Sequence, residues 1–252
     1  YRGTRAVTLG AVLRLGRVSN LPTVWTNALA GAVLSGASGG DLVTTVLLAG
    51  LALTLFYDGG MWLNDAFDAE IAAQERANRP IPNGEIGVQT VFAGGLAMLA
   101  GGIAISFAMG TTAGLAGIAH ALHKKVSVGP VLMGATRFLS YALAAVAVGA
   151  FAGSALWGAL GLFAYIIGLT YAAKQEAYDR IGAAWPLAVL AFPVVWAVVQ
   201  SAHAVVPLII WAGFAAVVAF ALYRLFRRGP GDVPKAVVTM IAGISLYDAA
   251  LI

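Results

Sequence analysis

The residues of this chain best suited to chemistry are acids and amides near the end of a long apolar stretch. The sequence there reads Asn64-Asp65-Ala66-Phe67-Asp68, and it is followed by Arg79-Pro80-Ile81-Pro82-Asn83-Gly84. An Asp at the centre of a bilayer costs roughly 2.5–3.5 kcal/mol on insertion scales, so acids at the boundary of a membrane helix need a stabilising partner. A divalent cation that holds a phosphorylated substrate at the membrane surface would be such a partner.

These side chains lie on one side of a predicted helix. A helix turns by about 100° per residue, so Asn64 and Asp68 share a face, with Asp65 beside them. Mg2+ prefers oxygen ligands and often takes only one or two carboxylates, together with substrate phosphates and water. We therefore predict that Asn64, Asp65 and Asp68 hold Mg2+ and act as the catalytic residues. The alternative is an interfacial helix end that polar residues cap.

Asp58 lies two helical turns before Asp65, on nearly the same line of the helix and well inside the apolar stretch. Two interpretations of this acid stay open. It either supports or binds the metal, or it is a buried helix contact that is protonated or hydrogen-bonded.

The composition indicates an integral membrane protein. Of the 252 residues, 60% are hydrophobic and only 10% are charged, whereas charged residues make up about a quarter of a typical soluble domain. There are no cysteines, which excludes disulfides and thiolate metal sites. The chain begins at Tyr1 without a secretory signal pattern, so we expect it to continue a longer natural sequence.

Apolar windows of roughly the ~20 residues that cross a bilayer recur along the whole chain. There are nine, at about 19–38, 42–66, 87–109, 111–123, 130–151, 155–178, 184–201, 204–224 and 233–252. The strand alternation of a membrane barrel is absent, so the spans are predicted to be helices. We predict an all-α polytopic membrane protein in which 1–252 form a single domain of nine transmembrane helices.

The positions of the cations agree with this division of the chain into nine spans. With nine spans, all fifteen Lys and Arg residues fall on one side of the membrane. The positive-inside rule then places the N-terminus and the acidic motif in the cytoplasm. We expect a bacterial inner-membrane protein whose active site faces the cytoplasm, with lipid around it and no nucleic-acid partner.

The combination of Asn64-Asp65-x-x-Asp68 with Arg79-Pro80-Ile81-Pro82-x-Gly84 resembles the first signature of the UbiA-type intramembrane prenyltransferases. The segment Lys124-Lys125-x5-Val131-Leu132-Met133-Gly134-x-x-Arg137 is also similar to a UbiA-like sub-branch that includes the EboC-type proteins. The resemblance covers essentially the whole chain. It implies a bundle of nine helices, Mg2+ as cofactor, an isoprenyl diphosphate donor and a hydrophobic acceptor.

The resemblance also implies further metal ligands on the sixth span. The family's second motif is Asp-x3-Asp, and Glu176 and Asp179 are the acids available here. The chain departs from the pattern at Gln175, where an acid is expected, and at Ala72, where the first motif usually continues with a third Asp. These departures bear on the number of metal ions and on how strongly the diphosphate is held.

Several cations and aromatic residues are predicted to bind substrate. Lys or Arg can neutralise a departing diphosphate, and an aromatic face can attract an allylic cation. The alternatives are that the cations reflect topology alone and that the aromatic residues form an interfacial belt. The predicted substrate-binding residues are Arg17, Asn20, Arg79, Lys124, Arg137, Tyr171 and Lys174.

The predicted function is therefore Mg-dependent transfer of a prenyl group from an isoprenyl diphosphate to a lipid-soluble acceptor, which we expect to be aromatic. Two alternatives remain. The same diphosphate site in a UbiA-type fold would serve a terpene cyclase, and a membrane carrier would use its acids to relay ions or protons. The sequence does not define the prenyl chain length or the oligomeric state.

Overall fold

The computed structural model describes residues 9–69, 79–122, 129–149, 151, 153–176 and 181–252. All regular secondary structure in these residues is helical, which confirms the predicted all-α class. The α-helices are α1 (Leu9–Gly16), α2 (Leu21–Leu34), α3 (Gly39–Phe67), α4 (Val88–Ala108), α5 (Thr111–Leu122), α6 (Gly129–Val148), α7 (Gly153–Lys174), α8 (Ala191–Ser201), α9 (Val205–Arg227) and α10 (Asp232–Leu251). Short 3-10 helices at Val18–Asn20 and Trp185–Leu190 precede α2 and α8.

Each of the nine predicted spans falls on one of these helices, but the helices differ in length. Six in the described part of the chain are long and apolar enough to cross a membrane, namely α3, α4, α6, α7, α9 and α10. The helices α2, α5 and α8 have 14, 12 and 11 residues. At 1.5 Å per residue they reach about 16–21 Å, less than the ~30 Å hydrocarbon core. The membrane bundle is confirmed, while the count of nine spans and the side of the N-terminus stay predictions.

The helices pack into two apolar cores that meet at α2 and α6. One core joins residues of α2, α3, α5 and α6, with Phe56 and Leu143 fully buried at its centre. The larger core joins α7, α8, α9 and α10, with Tyr165, Phe214 and Tyr247 stacked through tilted ring contacts. Because α2 and α6 contribute to both cores, side chains between these helices lie in the middle of the bundle.

A buried acid fixes the turn between α9 and α10. Asp232 accepts hydrogen bonds from Arg224 Nη1 at 2.9 Å, from Arg227 Nε at 2.9 Å and Nη2 at 2.8 Å, and from the Gly229 amide at 2.9 Å. Gly231 adopts a left-handed φ of 70° immediately before the helix, a conformation that glycine reaches without steric cost. All of these partners come from the last turn of α9 and the residues that follow it, so we assign Asp232 a structural role.

Candidate active site

The acidic motif occupies the last turn of α3. The helix ends at Phe67, and the amide of Asp68 donates to the carbonyl of Asn64 at 2.9 Å, which closes the final turn. The side chains of Asn64 and Asp68 are exposed, and that of Asp65 is half-buried. The helix therefore presents three oxygen-bearing side chains at one end, as the spacing predicts.

The Arg79–Gly84 segment folds back onto this end of α3. A tight turn forms where the Gly84 amide donates to Ile81 at 3.0 Å and the Glu85 amide donates to Pro80 at 2.9 Å. Gly84 has a φ of +71°, which favours glycine. Arg79 Nη1 then donates to Asp65 Oδ1 at 2.8 Å. A predicted substrate-binding residue and a predicted metal ligand are thus in direct contact.

A second ion pair attaches α1 to the same turn. Arg14 and Glu85 form a salt bridge, and the Asn83 side chain donates to Glu85 at 3.0 Å. Beneath them Leu15 packs with Ile86 and other apolar side chains in a small core. Sequence analysis did not identify Glu85, because the only local signal is an acid that follows the motif glycine.

The predicted N-terminal substrate residues line an open groove of about 430 Å³ beside α1. Arg17 is exposed and adopts φ 47° and ψ 47°. This left-handed conformation is costly for a residue with a Cβ, and such strain concentrates at functional sites. The observation is consistent with a binding role for Arg17. Asn20 lines the same groove and extends toward α3.

Asn20, Tyr57 and Arg137 converge on one side of α3. The Asn20 amide donates to the Tyr57 hydroxyl at 3.2 Å, and the Arg137 guanidinium lies 5.9 Å from the centre of the Tyr57 ring. Tyr57 and Asn64 are seven residues apart, so they share a face of the helix with a rise of about 10 Å between them. The structure thus places Arg137 deeper in the bundle than the acidic motif but toward the same face.

Arg137 is held by neutral side chains of α2 and by an acid that lies beyond them. Its Nη1 donates to Asn27 Oδ1 at 2.9 Å and its Nη2 donates to Thr23 Oγ1 at 3.0 Å. The Asn27 amide in turn donates to Asp248 of α10 at 2.7 Å. Arg137 is thus connected to the carboxylate of Asp248 through the Asn27 amide. Sequence analysis missed Asp248, although an acid within the last apolar span was a usable signal.

Asp58 contacts α1 rather than the motif acids. Its Oδ1 is buried and has no hydrogen-bond partner in the described residues. It lies so close to Gly16 that a Cβ there would approach Oδ1 to 3.0 Å. The contact supports a role in packing α1 onto α3, and the unpaired oxygen leaves the metal-supporting role open.

The residues predicted from the sixth span are only partly described. Lys174 ends α7, and its side chain and that of Glu176 are exposed. The Tyr171 hydroxyl donates to the carbonyl of Ala183 at 2.6 Å, which ties this helix end to the following segment. Lys124 and Asp179 lie outside the described residues. The roles predicted for these five residues stay predictions.

The donor set at the end of α3 fits Mg2+ only in part. Amide and carboxylate oxygens are the ligands that a hard cation takes. Among the described residues, however, no three Asp, Glu or His side chains are grouped closely enough to hold a metal ion. Asn64, Asp65 and Asp68 would therefore have to be completed by substrate phosphates, water or acids outside the described part.

No family model matches the chain, but curated proteins match parts of it. The chain is 33% identical over 106 residues to digeranylgeranylglyceryl phosphate synthase of Ignicoccus hospitalis, covering 42% of this chain and 34% of that protein. It is 31% identical over 143 residues to the synthase of the same name from Saccharolobus solfataricus, covering 53% of this chain and 50% of that protein. The matches thus span between about a third and a half of these relatives' lengths.

Solved structures match along nearly the whole chain. A structure described as concerning digeranylgeranylglyceryl phosphate synthase in membranes has a TM-score of 0.65 at 18% identity and covers 96% of this chain and 97% of its own. A UbiA homologue from Archaeoglobus fulgidus bound to GPP and Mg2+ has a TM-score of 0.63 at 13% identity, with 96% and 99% covered. The resemblance that the motifs predict is therefore confirmed, and the chain has the fold of the UbiA-type intramembrane prenyltransferases.

Proposed function

We propose that this protein is a Mg-dependent prenyltransferase that uses an isoprenyl diphosphate and a lipid-soluble acceptor within the membrane. The observation that carries the proposal is the set of amide and carboxylate oxygens at the end of α3 beside Arg79. A half-buried arginine next to exposed hard-oxygen donors suits a ligand that combines a divalent cation with phosphate groups. The UbiA-type fold and the similarity to prenyl-transferring synthases support it.

In this proposal each group has a distinct task. Asn64, Asp65 and Asp68, with Glu176 or Asp179, would hold Mg2+, which when bound stabilises the negative charge of a leaving diphosphate. Arg79 is positioned to exchange its Asp65 contact for a phosphate oxygen, since guanidinium binds both anions by charge-assisted hydrogen bonds. Arg17, Asn20, Lys124 and Lys174 would line the entrance and neutralise charge there.

The residues that lie deeper in the bundle would act on the prenyl side of the bond that breaks. Loss of diphosphate from an allylic donor leaves a carbocation, which an electron-rich acceptor then attacks while it releases a proton. Tyr57 presents an aromatic ring toward the same face as Asn64, and Tyr171 stays our candidate from α7. Aromatic faces attract cations by ~0.5–2 kcal/mol. Arg137 would hold an anionic part of a substrate at the inner edge of this space.

The acceptor has two candidates. The first is the aromatic acceptor that we expect from the sequence. The relatives named digeranylgeranylglyceryl phosphate synthase favour instead a lipid that carries a glyceryl phosphate. An acceptor of this second kind would present an anion to the deeper cation. Assays with each acceptor class in turn, at fixed geranylgeranyl diphosphate, would choose between them by the mass of the prenylated product.

The decisive experiment measures diphosphate release by the protein in detergent or liposomes. We expect Mg-dependent release from an isoprenyl diphosphate in the presence of acceptor, complete loss with EDTA and recovery when Mg2+ is added back. Release with a cyclised product and no acceptor would instead identify a terpene cyclase. Absence of release from any isoprenyl diphosphate, with the protein folded, would contradict the enzyme and favour the carrier.

The membrane orientation belongs to the same proposal. We infer from the cation distribution that the acidic motif faces the cytoplasm, as the diphosphate donor would require if it is made there. A cysteine introduced at the exposed Asn83 would then react with a membrane-impermeant maleimide only in inverted vesicles. Labelling in intact cells would contradict this orientation.

A further inference from the structure

The hydrogen bonds around Arg137 follow a strict order of donors and acceptors. An arginine only donates hydrogen bonds, and an ionised carboxylate only accepts them. Asn27 stands between Arg137 and Asp248, with its Oδ1 accepting from the guanidinium at 2.9 Å and its Nδ2 donating to the carboxylate at 2.7 Å. Only one orientation of the Asn27 amide satisfies both neighbours. The carboxylate therefore determines which end of the amide faces the arginine.

Both carboxylate oxygens of Asp248 accept hydrogen bonds from the protein, and the side chain is closed to solvent. It is 1% exposed, and Asn27 and Tyr141 are 0% exposed. Tyr141 donates to its Oδ1 at 2.5 Å, while Thr26 and Asn27 donate to its Oδ2. The carboxylate thus receives three hydrogen bonds from α2 and α6 while it sits on α10. It has no direct contact with solvent, and its effect on the site must pass through these neighbours.

Arg137 retains donors that its own neighbours do not use. The guanidinium carries five N–H groups, and side chains in the described residues take one from Nη1 and one from Nη2. The side chain is half-buried and lies over the Tyr57 ring, on the face of α3 that also bears Asn64. A cation that is held on one side and has further N–H groups to donate suits an anionic ligand.

We propose that Asp248 is a positioning residue that acts through Asn27 to fix the guanidinium of Arg137 for an anionic group of the substrate. The inference rests on the proposed function, in which Arg137 binds substrate. It adds a residue on α10 that touches neither substrate nor metal. Its contribution is to hold the amide of Asn27 with its oxygen toward Arg137, so that the arginine keeps one orientation when the site is empty.

The test begins with Asp248→Asn. This change keeps the size of the side chain but removes its charge and leaves a single oxygen to accept from Thr26, Asn27 and Tyr141. The hydrogen bond that orients the amide at 27 therefore loses its charge assistance and competes with two others. We expect the KM for geranylgeranyl diphosphate or for the acceptor to rise about tenfold with a smaller change in kcat, since a binding contact made in both ground and transition states acts on KM.

A double variant distinguishes the proposed relay, in which Asp248 acts through Asn27 on Arg137, from a general effect on the structure. Asn27→Asp combined with Asp248→Asn restores a complete set of donors and acceptors. The new carboxylate at 27 accepts from Arg137 and also accepts from the new amide at 248. The number of carboxylates is unchanged. We expect its KM to return to within about threefold of wild type, a coupling within the range measured for contacting residues.

Two further variants complete the design. Tyr165→Phe removes a different buried hydrogen bond to α10, from the hydroxyl to the Met240 carbonyl at 2.8 Å. It should lower the melting temperature and leave both KM values at the wild-type level. If Asp248→Asn does not fold, Asn27→Ala breaks the relay while Asp248 keeps Thr26 and Tyr141, and it should raise the same KM.

The outcomes are distinct. Wild-type activity with unchanged KM in the folded relay variants would overturn the positioning role and leave the proposed function intact. A raised KM that the double variant does not restore would also overturn the relay. A folded wild type without turnover of any isoprenyl diphosphate would overturn the proposed function, and the positioning role with it.

Discussion

The two polar regions of this bundle are built in opposite ways. At the end of α3, Asn64 and Asp68 are exposed, and among the described residues Asp65 has one side-chain partner, Arg79, that comes from a turn. In the middle of the bundle, Asn27 and Asp248 are fully buried and hydrogen-bonded to side chains of three different helices. The outer region, at the end of α3, is open and has few hydrogen-bond partners among the described residues. The inner region, around Asn27 and Asp248, is closed to water and its polar side chains are hydrogen-bonded to each other.

The two regions differ because water reaches the end of α3 but not the buried network. A buried polar group that loses its partner costs several times a normal hydrogen bond, so the inner network must be satisfied by the protein itself. Exposed carboxylates are satisfied by water, which a metal ion and phosphates can replace at little cost. The outer region is therefore suited to exchange ligands, and the inner region is suited to keep a fixed geometry.

The largest effect should come from the outer acids. Asp65→Asn removes a charge that both Arg79 and a metal would need, and we expect kcat/KM to fall at least about 100-fold, as when a group central to transition-state stabilisation is removed. Because the variant keeps the size of the side chain and an oxygen that can accept from Arg79, the melting temperature should change by no more than a few degrees. Diphosphate release and thermal unfolding, measured on the same preparation, check both parts.

Asp41→Asn is the matched control for this variant. Asp41 is an exposed acid on the same helix, and its position 24 residues earlier puts it about 36 Å away along the axis. It should have wild-type activity. Equal activity of Asp65→Asn and wild type would remove the metal assignment and leave the outer region as a capped helix end.

An intermediate effect is expected for Arg79→Gln. The variant leaves Asp65 without its ion-pair partner and removes a donor for phosphate, and we expect kcat/KM to fall about tenfold, near the cost of losing one charge-assisted hydrogen bond. Arg79→Lys should retain part of the activity, since it keeps the charge without the planar fork. Lys235→Gln, an exposed cation at the start of α10, is the control and should be unaffected.

The outer region could be predicted from the sequence because the residues that form each of its parts are close together in the chain. Hydropathy located the described α-helices other than α1, and a spacing of four residues placed Asn64 and Asp68 on the same side at the end of α3. The turn that delivers Arg79 also has a local signal, in Pro80 and Gly84. What the pattern could not show was that Arg79 reaches Asp65, because nothing in it fixes the direction of the chain after the helix.

The inner region could not be predicted because its partners are far apart in sequence. Asn27 and Asp248 are separated by 221 positions, and Arg137 lies between them in the chain. A helix pattern shows which residues share a face but not which helix that face meets. Asp248 is an acid in an apolar span without a motif. Such an acid indicates a buried polar contact, but only the packing of α10 against α2 shows that it contacts Thr26 and Asn27.

Tyr57 connects the two regions and should show a smaller effect. Tyr57→Phe removes the hydrogen bond with Asn20 but keeps the ring beside Arg137, and we expect at most a twofold to threefold loss of kcat/KM, about the cost of one neutral hydrogen bond. Tyr57→Leu also removes the aromatic face and should cost about tenfold, within the range of a cation–π contact. Steady-state kinetics of the pair measures the difference, and equal losses would show that the ring contributes nothing.

The smallest effect, and one of opposite sign on stability, is expected at Arg17. This residue holds a left-handed φ of 47° in the outer region, which costs an L-residue about 1–2 kcal/mol relative to its usual conformations. Arg17→Gly should therefore raise the free energy of unfolding by up to about 1 kcal/mol, because glycine relieves the strain but gains freedom in the unfolded chain.

The same change should lower activity, because it removes a guanidinium from the groove beside α1 to which we assign substrate binding. Arg228→Gly is the matched control, since Arg228 is the other non-glycine residue with a positive φ in the described part of the chain, at 55°, and it ends α9 away from the proposed site. It should gain similar stability and keep full activity. If both variants are equally stabilised and equally active, the strain at Arg17 is a feature of the turn, and the outer region extends no further than α3 and Arg79.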